Sequence, residues 1–269
     1  MNRKDFKFEI CANSVESCLA AQNGGADRVE LCAGIPEGGT TPSYGEIKIA
    51  RQLLTKTKLH VIIRPRGGDF LYTPLEMERM EEDIRLCREL EVDGVVIGCL
   101  TPEGEVDIEK NRRLIALAKG DASSWNTSGK NMSPMTVTFH RAFDRTANPF
   151  KALEDIINLG CDRILTSGQQ PKAIDGIRLL ADLKEKADGR IKLLAGSGVN
   201  EENIRKIFDA TGIHEYHFSA RVNVPSHMKH YNHEVYMGAK GVDESNTLVT
   251  SEERVRNTIH LLIEAKKQG

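Results

Sequence analysis

The run Lys58-Leu-His-Val-Ile-Ile-Arg-Pro65, a stretch of helical spacing over 75–91, and then Gly94-Val-Val-Ile-Gly-Cys-Leu100 decide the fold. A short aliphatic run, a longer amphipathic stretch and a second short run make one unit of a parallel sheet with a crossover helix. The same unit recurs along the chain. Strands are expected near 7–12, 28–33, 58–65, 94–100, 135–141, 163–168, 191–196 and 215–221. Helices are expected near 15–23, 43–54, 75–91, 107–118, 149–159, 173–187, 201–211 and 251–267. Pro149 after Asn148 and Asn200 before Glu201 read as helix starts, and Gly160 and Gly212 as stops. Eight units predict one α/β domain, a (β/α)8 TIM barrel with a parallel eight-stranded closed barrel, rather than an open doubly wound sheet.

A chain of 269 residues has the length of one such barrel. Its 39% hydrophobic and 28% charged residues are those of a globular protein, which argues against collagen-like, disordered and membrane classes. Thirty-seven Lys+Arg against 39 Asp+Glu leave a net charge of -2 and no basic run, so neither nucleic acid nor membrane is an expected partner. The first ten residues lack the apolar core of an export signal, so a cytoplasmic protein is expected. Six scattered cysteines without a CxxC then read as free thiols.

Side chains alternate along a strand, so the apolar set of each strand marks the face that meets the helices. Ile10 and Ala12 go outward and turn Glu9 and Cys11 inward; Val29, Leu31 and Ala33 do the same for Glu30 and Cys32. By the same rule His60, Ile62 and Arg64, then Thr136, Thr138 and His140, then Glu215, His217, Ser219 and Arg221 face inward, with Arg66 just past its strand end. Barrel interiors are normally filled by Val, Ile and Leu. Here Glu, Arg, His and Cys gather near the strand ends, where barrel chemistry resides. Buried charges persist either paired, for example Glu30 with Arg64, or around a ligand.

Arg64 and Arg66, two apart and followed by Gly67-Gly-Asp69, suit a clamp on a carboxylate or phosphate. Gly196, Ser197 and Gly198 after strand seven, with Ser219 and Arg221 after strand eight, lie where barrels often hold phosphate. Glu201 and Glu202 next to that loop would oppose an anion. Glu9, Glu30, His140 and His217 are candidate general acids and bases. Two segments exceed what the scaffold needs. The Ser/Asn-rich 120–134 belongs to the bottom of the barrel, whereas 225–250 falls on the active face as a lid or an oligomer contact. His227, His230 and His233 within the second have no acidic or Cys partner nearby and read as a solvated loop.

No P-loop, HExxH or placed GxGxxG occurs. Cys11 and Cys32 sit at matching positions on adjacent strands, which lie about 4.8 Å apart. Two inward thiols can share a soft cation, and thiolates select Cu(I); they equally suit small buried hydrophobes.

The segments Cys11-Ala-Asn-Ser-Val-Glu-Ser17, Gly24-Gly-Ala-Asp-Arg-Val-Glu-Leu-Cys32, Glu37-Gly-Gly-Thr-Thr-Pro-Ser43, Ile63-Arg-Pro-Arg-Gly-Gly-Asp-Phe-Leu-Tyr72, Phe139-His-Arg-Ala-Phe-Asp144, Leu165-Thr-Ser-Gly168 and Phe218-Ser-Ala-Arg221 together resemble the CutC copper-homeostasis family. The resemblance runs from about residue 6 to 222 and departs from the family pattern at Ala195-Gly-Ser-Gly198, which replaces a glycine-only loop. It implies a TIM barrel, a cytoplasmic homo-oligomer (dimer or tetramer) and copper, with Cu(I) carried onto Cys11 and Cys32. A copper site needs thiolates but not Glu9, Glu30, Arg64, Arg66, His140 and His217 around one cavity. The alternative is an enzyme of lyase or isomerase type working on a small phosphorylated or carboxylated metabolite at the mouth of the barrel.

Overall fold

A computed structural model describes residues 1–120, 133–232, 234, 235, 237 and 243–264. Eight parallel strands close on themselves: β1 (Lys7–Ala12), β2 (Arg28–Leu31), β3 (Lys58–Ile62), β4 (Gly94–Ile97), β5 (Thr136–Phe139), β6 (Arg163–Thr166), β7 (Lys192–Gly196) and β8 (Glu215–Phe218). The ring is completed by β8 pairing with β1, Glu9 opposite His217. Around it stand α1 (Val15–Asn23), α2 (Tyr44–Leu53), α3 (Pro74–Glu89), α4 (Ile108–Lys119), α5 (Pro149–Leu159), α6 (Ile177–Ala187), α7 (Ile204–Thr211) and α8 (Glu252–Ile263). The expected (β/α)8 barrel is formed.

Local chemistry explains where helices begin and end. Ser43 with Glu46 and Thr73 with Glu76 each close a capping box, satisfying N–H groups that a helix start leaves free. Asn148 caps α5 with Pro149 behind it, and Gly160 and Gly212 end α5 and α7 in the left-handed conformation. Asn200 does not start α7: the chain makes a turn first, and the helix follows Asn203. The last strand also differs from expectation. Ala220 takes φ 48°, which breaks the run after Phe218 and sends Arg221–Pro225 out of the barrel as β9. There it pairs antiparallel with β10 (Asn246–Thr250), which is tied to the start of α1 through Asn13 to the Leu248 carbonyl and Thr250 to Ser17. The ends of the long segment are thereby fixed beside α1. His227 and His230 are exposed in it, His233 lies outside the described residues, and so does most of 120–134.

Ile10, Ala12, Val29, Leu31, Val61, Ile63, Val137 and Phe139 are completely buried between barrel and helices, as the alternation requires. This layer leaves the interior to polar side chains, which need close backbone approach. Gly98, just past β4, is one such place: a Cβ there would lie 2.6 Å from the His140 ring. Gly98→Ala is therefore expected to cost about 1–3 kcal/mol by overpacking, and to lower the melting temperature by about 2–4 °C per kcal/mol. An unchanged thermal melt would show that the His140 ring can move aside.

Candidate functional site at the barrel mouth

From the bottom of the barrel upward, the interior charges are layered. Arg28 is paired with Glu9 and lies 2.9 Å from Glu215, which also meets Arg163 at 3.3 Å. Glu9, with no exposed surface, continues to His217 Nδ1 at 2.8 Å and faces His60 Nδ1 at 3.8 Å. His217 Nε2 in turn faces Glu30 at 3.6 Å. The internal ion pairs thus run through Glu9, Arg28, Glu215 and Arg163. No Glu30–Arg64 pair forms among the described residues. Arg28 was legible by parity with Glu30 and is the first residue of β2.

Above this layer opens a cavity of about 450 Å³ lined by Cys11, Glu30, Cys32, Arg64, His140 and His217, among others. Cys11, Glu30 and His217 each place a ligand atom within 4.8 Å of the other two. The two sulfurs are 3.9 Å apart and in hydrogen-bond contact, and Arg221 donates to Cys11 Sγ at 3.1 Å. The register differs from the expected one. Cys11 is opposite Glu30, not Cys32, so the thiols meet across a stagger between strands rather than side by side. That stagger adds the Glu30 carboxylate to the donor set.

Proton affinities follow from these contacts. Contact with the Cys32 thiol, and the positive His217 and Arg221, hold Cys11 well below the ordinary thiol value against the opposing effect of burial. Cys32 goes the other way, raised by that same contact and by burial. Burial alone would lower His217, but hydrogen bonds to Cys11 and Glu9 and the charges of Glu30 and Glu9 push it up to about 10. Burial pushes Glu30 up to about 8, opposed by His217. These shifts favour a Cys11 thiolate beside a His217 imidazolium, backed by Glu9. At about pH 6, iodoacetamide is expected to modify Cys11 ahead of the other cysteines, and His217→Gln to slow that reaction. Mass-spectrometric mapping with Cys18 or Cys87 labelled first would contradict it.

Other candidates fall in different places. Burial, then Arg64, bring His140 down to about 3; its Nδ1 accepts from the Ala142 amide, so the proton sits on Nε2, a buried donor without a partner. One oxygen of Glu30 is likewise unpartnered. Both leave hydrogen-bonding capacity at the cavity for a ligand. Arg64 is held by the carbonyls of Glu37 and Gly39 at 2.8 Å and Gly68 at 2.9 Å, over the Phe70 ring. Arg66 does not join it. The Gly67-Gly68 turn carries Arg66 to the start of α3, where Glu76 at 2.6 Å and Asp69 at 2.9 Å take its guanidinium, so the two-arginine clamp is not assembled. Gly196 lies within β7, where a Cβ would strike Leu165 at 2.4 Å and crowd His217. Ser197, Gly198, Ser219 and Arg221 line an adjoining cleft of about 280 Å³.

Arg141 and Asp144, one and four residues after His140, also line the cavity and were not singled out from sequence. Asp144 holds Arg141 at 2.7 Å and accepts from Thr166, Ser167 and Gln169, tying the loop after β6 to that after β5. The available signal was their place just beyond a strand end.

Fold and site define a barrel protein with a soft-donor cluster and unpartnered polar groups at its C-terminal mouth. The CutC family model matches residues 6–222, and the chain belongs to the CutC family. A family protein CutC of Bacteroides thetaiotaomicron is 58% identical over 260 residues, covering 96% of this chain and 99% of the relative. The human copper homeostasis protein cutC homolog is 42% identical over 252 residues, 93% of this chain and 87% of the relative. The crystal structure of CutC from Streptococcus agalactiae superposes with a TM-score of 0.71 at 35% identity, over 80% of this chain and 98% of that one. Phosphoribosyl anthranilate isomerase from Thermotoga maritima, at 13% identity and a TM-score of 0.54 over 96% of this chain and 98% of its own, shares the fold alone. Among the described residues no helix is long and apolar enough to cross a membrane.

Proposed function

We propose that the protein binds Cu(I) through Cys11 and Cys32 and serves copper homeostasis as a cytoplasmic homo-oligomer, a dimer or tetramer. The observation that carries this reading is the thiol pair, with sulfurs 3.9 Å apart at the open end of the barrel. Soft thiolates select Cu(I) over hard cations. Cys11 is held low in proton affinity and Cys32 high, so binding of the ion to both sulfurs releases the Cys32 proton. His217 and Glu30 stand within reach as additional donors. The name of the human relative, a copper homeostasis protein, supports the same reading. Anaerobic titration against a Cu(I) chelator tests it, with size-exclusion and light scattering for the assembly.

A second reading, acid/base chemistry on a small phosphorylated or carboxylated molecule, is favoured by one observation. His217 stands between the Glu9 carboxylate and the Cys11 and Glu30 side chains. That arrangement orients the imidazole through Nδ1 and leaves Nε2 toward the cavity, as a general acid requires.

A further inference from the structure

Beside the thiols lies a cleft lined by Ser197, Gly198, Val199, Ser219 and Arg221, among others. In the loop after β7, Ser197 and Gly198 both take the left-handed conformation, φ 77° and 68°. For serine that conformation is strained, and such strain persists where the backbone is needed in a particular direction. Among the described residues, no acceptor takes the main-chain N–H groups of Ser197, Gly198 or Val199, nor those of Ser219 and Ala220 after β8. Main-chain donors normally find partners, and successive N–H groups turned together form an anion-binding hollow. Arg221 completes the cleft. It touches Cys11 through one nitrogen, its Nε is buried without a partner, and no carboxylate pairs with it among the described residues. The objection from Glu201 is removed, because Arg254 holds that carboxylate with two contacts of 2.9 Å.

A tetrahedral oxyanion offers three oxygens to donors around the cleft, whereas a planar carboxylate offers two. The cleft shares Cys11, Gly38, Arg141 and His217 with the larger cavity, so a molecule anchored in one extends into the other. We propose that this cleft holds the phosphate group of a small organic phosphomonoester, whose carbon body lies in the larger cavity over Cys11 and His217. A bare copper ion has no use for the cleft. The assignment is independent of the copper reading.

Titration of the ¹⁵N-labelled protein with inorganic phosphate, chloride balancing the ionic strength, is expected to shift the amide signals of Ser197, Gly198, Val199, Ser219 and Ala220 first. Glycerol 3-phosphate should bind there and glycerol should not, and acetate should not displace it at equal concentration. Arg221→Gln should weaken phosphate binding at least about tenfold, in line with loss of a charge-assisted contact. Should that variant fail to fold, Ser219→Ala with the amide map of the parent decides. The Cys32→Ser variant, whose side chain does not line the cleft, should keep its phosphate affinity. Unmoved loop amides, an Arg221→Gln variant binding as the parent does, or loss of phosphate binding in Cys32→Ser would each overturn the proposal.

Discussion

Changing Cys11 and Cys32 together to serine is expected to lower Cu(I) affinity by about a hundredfold or more. Removing even outer partners of a metal site typically costs about 10–100-fold, and here the two soft ligands themselves are removed. The parent should take up about one Cu(I) per chain from a competing chelator under anaerobic conditions. Cys18, Cys87, Cys99 and Cys161 should not substitute. All four are buried among helices and strands, and burial pushes each thiol up, Cys18 and Cys161 to about 12. Each single serine variant should fall between parent and double variant, since one sulfur with His217 or Glu30 still makes a mixed site. A double variant that holds copper as tightly as the parent places the ion elsewhere and ends the assignment.

That prediction rests on a pair whose meeting was only half legible in the sequence. Alternation correctly turned Cys11 and Cys32 into the barrel, because one face of each strand had to carry the apolar residues. Alternation does not give register, which depends on how far one strand is staggered against the next. Cys11 therefore came to lie opposite Glu30. The same limit explains the arginines. Parity placed Arg64 and Arg66 on one side of an extended strand, but β3 ends at Ile62, and beyond it the loop decides. Glu76, already part of a capping box, then captures Arg66. The end of the eighth strand was hidden for a different reason. A left-handed residue is foreseen when it is glycine, and here it is Ala220. The barrel itself was legible because eight repeats of one pattern tolerate errors at every boundary.

Glu9→Ala is expected to be among the most damaging single changes for the fold, costing about 3–5 kcal/mol. Glu9 is wholly buried and is the point on which Arg28, His217 and His60 converge. Its removal leaves Arg28 to share Glu215 with Arg163, one carboxylate for two buried guanidinium groups. It also removes the partner that orients His217 through Nδ1. At about 2–4 °C per kcal/mol for a chain of this size, the melting temperature should fall by about 6–20 °C. The pH dependence has a definite sign. Burial raises Glu9, but Arg28, His217 and His60 more than offset it and hold the carboxyl well below its ordinary 4.5. A group depressed in the folded state contributes stability that is complete above the unfolded value and lost as pH falls through the folded one. The parent should therefore lose stability on acidification below about pH 4.5, and part of that slope should be missing in Glu9→Ala. Urea unfolding at several pH values measures both effects. A loss under about 1 kcal/mol, or an unchanged acid slope, would mean that water or a neighbouring group takes over the charge of Arg28. In a double-mutant cycle, Arg28→Met should recover part of the loss, because the cost lies in the stranded charge rather than in the missing carboxylate.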